Sequence, residues 1–169
     1  MGQLAPARLH TQQIADKADI GTLFLYAKTK GELLLLVQNS TYADALVRGK
    51  AAAETILNML EAVMAIIRPV VECNRTQIDN GRIYLREIVF GDPEEPHHRD
   101  ALDLTVQTEE AIAVVLRRDQ RIDPCAAAAL AHIASAIMFL SMAATININN
   151  TVDDILREIR DQVRVLLPR

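Results

Sequence analysis

The chain's candidate chemistry begins with three adjacent carboxylate pairs, Glu94-Glu95, Glu109-Glu110 and Asp153-Asp154. Neighbouring residues on a helix point in different directions, so none of these pairs makes a general acid and base by itself. Solvated surface is the better reading of each. His97-His98 follows a proline-containing loop and can be imagined meeting His132 or a carboxylate at a metal. Adjacent histidines rarely chelate one ion, however, and no His-x-x-x-His spacing occurs. Ser135 and Ser141 lack the glycines of a nucleophile elbow, and no glycine-rich phosphate cradle is present. Cys73 and Cys125 have no metal-ligand spacing and are too few for a disulfide framework, which fits a reducing cytoplasm. Nothing here points to an enzyme, a metal or a cofactor. The remaining chemistry is recognition. Met59, Met64, Met138 and Met142, with Tyr84, Phe90 and Phe139, are large, adaptable side chains expected to face the centre of the body. Core packing explains such residues, and so does the lining of an apolar ligand cavity, with His132 and Asn147 as its polar anchors.

The elements that would position these residues are helical throughout. Half of the 169 residues are apolar, only six are aromatic and none is Trp, a balance that favours helix over sheet. Thr29-Lys30-Gly31-Glu32 has capping-box spacing and opens a helix expected to run to about Val47, before Gly49. Ile56, Leu57, Leu60, Val63, Met64 and Ile67 form the next apolar stripe, which Pro69 should kink or end. A helix from about Gln77 to Phe90 stops at Gly91-Asp92-Pro93, and Pro96 opens another with Leu102, Val106, Ile112 and Leu116 as its buried stripe. Asp123-Pro124 starts a helix to about Ile146, and Thr151 to Leu167 forms the last. No stretch alternates with period two for long enough to suggest a sheet.

From Cys125 to Ile146 there are 22 residues without a charge, long enough to cross a bilayer. Nine alanines, several polar side chains and the lack of a flanking basic cluster or aromatic belt favour a helix buried on most sides over a membrane span. The last helix has the complementary pattern, with Val152, Ile155, Ile159, Val163 and Leu166 on one stripe and Arg157, Arg160, Asp161 and Arg164 outside it. Residues 124–147 and 151–167 can together meet a symmetry mate as a four-helix homodimer interface. The N-terminus has no charged segment followed by an apolar run, so no signal peptide is expected. Net charge is −4, but residues 1–50 carry six Lys/Arg against four Asp/Glu, while the remainder carry twelve against eighteen. A modestly basic head on an acidic body suits a small DNA reader attached to a body with another task.

That head contains Ile14-Ala15-Asp16-Lys17-Ala18-Asp19-Ile20, then Gly21-Thr22-Leu23-Phe24-Leu25-Tyr26-Ala27-Lys28-Thr29-Lys30. It reads as a short helix, a tight turn, a second short helix and a lysine opening a third, the arrangement that places a helix in the DNA major groove. Over about twenty residues it resembles the DNA-binding segment of TetR-family transcriptional regulators. There an Ile-Ala helix is followed by a turn ending in Gly-Thr-Leu-Tyr, then an aromatic or His two residues on, then a Lys heading the next helix.

The match departs from the family in three places. Only Asp19, Ile20 and Gly21 separate Ala18 from Thr22, two residues fewer than in the family. Residues 1–10 contain Pro6 and too few apolar positions for the family's supporting helix, and Ala27 stands where the family usually has a core Phe. Either the reader is degraded, or residues are missing at two places, between Ile20 and Thr22 and upstream of Thr11.

The resemblance implies an all-α protein, with a helix-turn-helix remnant in residues 1–47 and a helical ligand-binding and dimerisation bundle in residues 48–169. It implies a ligand-responsive repressor, homodimeric and cytoplasmic, released from double-stranded operator DNA by a small apolar effector. By match to the motif, Thr22, Phe24 and Tyr26 would read DNA, Lys28 would steer along the backbone, and Lys30 would grip a phosphate at a helix N-terminus. Met59, Met64, Tyr84, Phe90, His132, Met138 and Met142 are the expected ligand-binding residues. The alternative is a helical ligand-binding or protein-interaction module that has lost its DNA reader.

Overall fold

A computed structural model describes residues 29–168, which form six α-helices, one 3-10 turn and no strand. The helices are α1 (Lys30–Glu54), α2 (Met59–Thr76), α3 (Ile78–Phe90), α4 (Pro96–Leu116), α5 (Pro124–Ala143) and α6 (Val152–Leu166). The all-α expectation holds. Thr22, Phe24, Tyr26 and Lys28, and the two places where residues were expected to be missing, lie outside the described residues.

The helix starts follow the local chemistry. Thr29 Oγ1 accepts from the Glu32 amide at 3.1 Å, and Asn58 and Asp123 cap α2 and α5 in the same way. Pro96 and Pro124 stand at first-turn positions, where a missing amide costs nothing. At α6 the capping box is complete: the Thr151 hydroxyl accepts from the Asp154 amide while the Asp154 carboxylate accepts from the Thr151 amide. That carboxylate is held below its usual range, chiefly by the Thr151 hydroxyl.

Several boundaries differ from the sequence expectation. α1 does not stop before Gly49 but continues to Glu54, so a division at residue 47 would fall inside a helix. The reason is close packing. A Cβ on Gly49 would stand 2.8 Å from the Ile66 carbonyl oxygen, so the glycine is where α2 crosses α1. Pro69 does not end α2, which runs on to Thr76. Leu57 belongs to the α1–α2 turn and is fully exposed, and Leu102 and Val106 face outward while Ile112 and Leu116 are buried. α5 ends at Ala143, with the 3-10 turn Thr145–Asn147 after it.

The core is one cluster built around α2. Val63, Ile66, Ile67, Val70 and Val71 of α2 are buried against Tyr42 and Leu46 of α1, Ile112 of α4, Met138 of α5 and Ile155 and Ile159 of α6. Two arginines fasten the turns to this framework. Arg75 donates to the carbonyls of Asn147, Ile148 and Asn150 at 3.2, 3.0 and 2.8 Å, which ties the α5–α6 turn to α2. Arg118 donates to the carbonyls of Ala53 and Ile56, holding the α1–α2 turn.

Candidate ligand groove

An open groove of about 870 Å³ runs between α3, α4 and α5, within the range of small-molecule sites. α3 supplies Arg82, Ile83, Arg86, Val89 and Phe90, and α4 supplies Thr105 and Glu109. The α5 wall is a stripe at helical spacing: His132, Ser135, Ala136, Phe139, Leu140 and Ala143. It is graded along its length. At one end His132 Nδ1 lies 3.0 Å from Glu109 Oε1. Beyond it sits Ser135, 1% exposed, whose hydroxyl is buried without a hydrogen-bond partner. From Phe139 onward the wall is apolar. Phe90 and Leu140, 82% and 70% exposed, stand at the edges of the groove. The lining acids Asp79 and Glu109 balance the lining arginines Arg82 and Arg86 in formal charge.

A second depression, of about 730 Å³, lies where the α1–α2 turn meets the ends of α4 and α6. Arg118, Asp119, Arg121 and Arg164 line it beside Leu57 and Met59. Arg121 and Asp119 pair there at 2.7 Å, and the guanidinium holds the Asp119 carboxyl down at about 2. Its walls are about as polar as they are apolar, and Arg118, Asp119 and Arg121 are already engaged, which makes it a poorer apolar site.

The sequence-derived ligand residues divide between these places. His132 and Phe90 line the groove, as does Phe139, although Phe90 stands at the rim rather than in the centre. Met138 and Met142 are fully buried core residues, Met64 is buried in α2, and Met59 borders the other depression. Asn147 is not a groove anchor either. Its amide donates to the Ser141 carbonyl at 3.0 Å and to Glu158 Oε2 at 3.1 Å, joining α5 to α6. Sequence reasoning passed over Arg82, Ile83 and Arg86; it read Glu109 as solvated surface and considered Ser135 only as a nucleophile without its elbow. The signal that could have found Ser135 is the stripe His132, Ser135, Phe139, Ala143, whose three- and four-residue steps place them on one flank of a helix.

Tyr84 has a different role from the one expected. It is buried, and its hydroxyl donates to Asn39 Oδ1 of α1 at 2.7 Å. The Asn39 amide in turn donates to the carbonyl of His97, in the first turn of α4, at 2.8 Å. One buried asparagine on α1 therefore holds both α3 and α4, the two helices that form the groove with α5. Burial pushes the Tyr84 phenol far above the usual range, and Tyr42, 6.0 Å away ring to ring, is pushed up for the same reason.

Among the described residues no group of three or more His, Cys, Asp or Glu stands close enough to hold a metal. His97 pairs with Asp100 at 3.6 Å, and His98 is buried beside Gly91. α5 is long and apolar enough to cross a membrane, and within one copy of the chain 39% of its most apolar stretch is covered, less than the burial on most sides expected from the sequence. Ala129, Ile133, Ala136 and Leu140 form an exposed face with no charge on it. Fold and site together define a helical bundle with an apolar groove tied to its first helix. Compared with protein-family models, curated proteins and solved structures, the chain matches none.

Proposed function

We propose that this protein is a ligand-responsive, DNA-binding transcriptional regulator of TetR type, a homodimeric repressor that a small apolar molecule releases from its operator. The observation that carries the reading is the hydrogen-bonded connection from the groove to α1. α1 begins at Lys30, directly after the segment that resembles a DNA reader. Asn39 lies nine residues along it, roughly 14 Å from its start. A ligand that spreads α3 from α4 loads the two bonds of Asn39, and α1 carries the displacement toward the DNA. Release follows if the ligand prefers the spread arrangement, because a ligand shifts an equilibrium only by its differential affinity for the two states.

Lys30 is exposed in the first turn of α1, a position suited to a phosphate contact. The uncharged face of α5 supports a two-fold dimer through residues 124–147 and 151–167, since a large exposed apolar patch on a monomer is an aggregation liability. The α5 face would pair with its symmetry mate, and the charged outer side of α6, with Arg157, Asp161 and Arg164, would rim the contact. Such a protein works in the cytoplasm, with no membrane and no cofactor. A bundle that binds a ligand without DNA is the alternative.

Selection from a random pool of DNA duplexes distinguishes the two. Enrichment of a palindromic sequence, bound with strong salt dependence, is the expected result. No enrichment, together with no salt-dependent DNA binding, would leave only the ligand-binding module.

A further inference from the structure

The groove's occupant can be defined more closely, on the basis of the reading of this groove as a ligand site. We infer that it takes an uncharged aromatic molecule bearing one polar oxygen, a phenol or an aryl ketone, and that Ser135 is the residue that recognises that oxygen.

A buried hydroxyl normally finds a partner, and in a helix the carbonyl one turn back is within reach. The Ser135 hydroxyl has none, although the residue is 1% exposed and stands in the groove wall. Leaving such a group unpaired is costly, so its presence where the α5 wall turns apolar points to a partner supplied from the groove. The rest of the wall defines the remainder of the molecule. From Ser135 the stripe continues through Phe139 to Ala143, and Phe90 stands across from it on α3 with 82% of its surface exposed. Two phenyl rings flanking an apolar slot suit a flat aromatic body. Charge is disfavoured, because Asp79 and Glu109 offset Arg82 and Arg86 and leave the lining acids and arginines with no net formal charge. A net charge on the ligand would lose its hydration without gaining an opposite field.

Discrimination between isosteres tests this without DNA. The probes are 2-naphthol, 2-methylnaphthalene and 2-naphthoate, titrated by calorimetry or by their own fluorescence against the whole protein. The wild type should bind 2-naphthol about tenfold more tightly than 2-methylnaphthalene, as a hydrogen bond to a buried partner gives. Ser135→Ala removes one oxygen that has no partner, so the fold should be retained. In that variant the preference should shrink to about twofold or less while 2-methylnaphthalene binds as before. Phe139→Ala should weaken both neutral probes together and leave the preference intact. The inference is overturned if Ser135→Ala keeps the full preference, if 2-naphthoate binds most tightly, or if neither neutral probe binds. A hydroxyl preference that depends on Ser135 in a protein that binds no DNA would sustain this inference while refuting the regulator.

Discussion

Tyr84→Phe is the sharpest test of the connection between groove and α1. The substitution deletes one oxygen from a residue that is 1% exposed, and leaves ring volume and packing against Tyr42 almost unchanged. No cavity term enters. What is lost is the 2.7 Å bond to Asn39 Oδ1, and that carbonyl oxygen then lies buried with no donor, since the Asn39 amide remains on His97. An acceptor orphaned in this way costs about 1–3 kcal/mol. For a bundle of this size each kcal/mol lowers the melting temperature by about 2–4 °C, so a fall of roughly 6 °C is expected. Urea unfolding followed by far-ultraviolet circular dichroism gives the free energy directly, with the slope against urea unchanged. Asn39→Ala should cost more, because it frees both the Tyr84 hydroxyl and the His97 carbonyl. Adding Tyr84→Phe to Asn39→Ala should then cost little, giving a coupling energy of about 2 kcal/mol in the double-mutant cycle. If Tyr84→Phe is neutral, or if the two changes simply add, the bond does no work and the route from groove to α1 fails with it.

Four further outcomes follow from named contacts. Gly49→Ala should destabilise by about 1–2 kcal/mol in the same urea assay, although helix propensity alone would make it stabilising, because the new Cβ meets Ile66 backbone at 2.8 Å. Stability should fall above about pH 10, where phenols of the unfolded chain ionise while buried Tyr42 and Tyr84 stay protonated. The folded state then holds more protons than the unfolded one, so the loss can reach about 1.4 kcal/mol per pH unit for each tyrosine, read from chemical unfolding at stepped pH. Light scattering at micromolar concentration should give a dimer that Ile133→Asp reduces to a monomer, whereas a monomeric wild type would contradict the α5 interface. Lys30→Ala should weaken binding to all duplexes about equally and reduce the salt slope by about one.

The helices were legible where backbone chemistry is local. Thr29 with Glu32, Pro96, Pro124 and Thr151 with Asp154 mark their helix starts because caps and fixed φ angles act within one turn. The misread positions depend on neighbours that periodicity cannot identify. Gly49 looked like a stop but is a crossing point, since only the approach of Ile66 gives it that meaning. Leu102 and Val106 fit one apolar stripe of α4 with Ile112 and Leu116, yet the bundle turns the adjacent flank inward and buries Ala101 and Thr108 with the latter two. Methionines were a poor guide to the groove because a flexible apolar side chain serves a closed core equally well, and Met138 and Met142 do so. His132, Phe90 and Phe139 were recognised as candidates. Their assembly with Arg82, Glu109 and Ser135 was not legible, because the groove depends on how three helices pack and its distinguishing atom is a hydroxyl whose lack of a partner appears only in three dimensions.

On the proposed function, occupancy of the groove changes affinity for DNA through Asn39. Anisotropy of a labelled duplex taken from the selected pool, titrated with protein in the absence and presence of saturating 2-naphthol, tests it most directly. The account predicts that the ligand weakens DNA binding at least about tenfold in the wild type, a coupling of about 1.4 kcal/mol, and much less in Asn39→Ala. Equal affinity for the duplex with the groove empty and filled, at a ligand concentration calorimetry shows to be saturating, would contradict it.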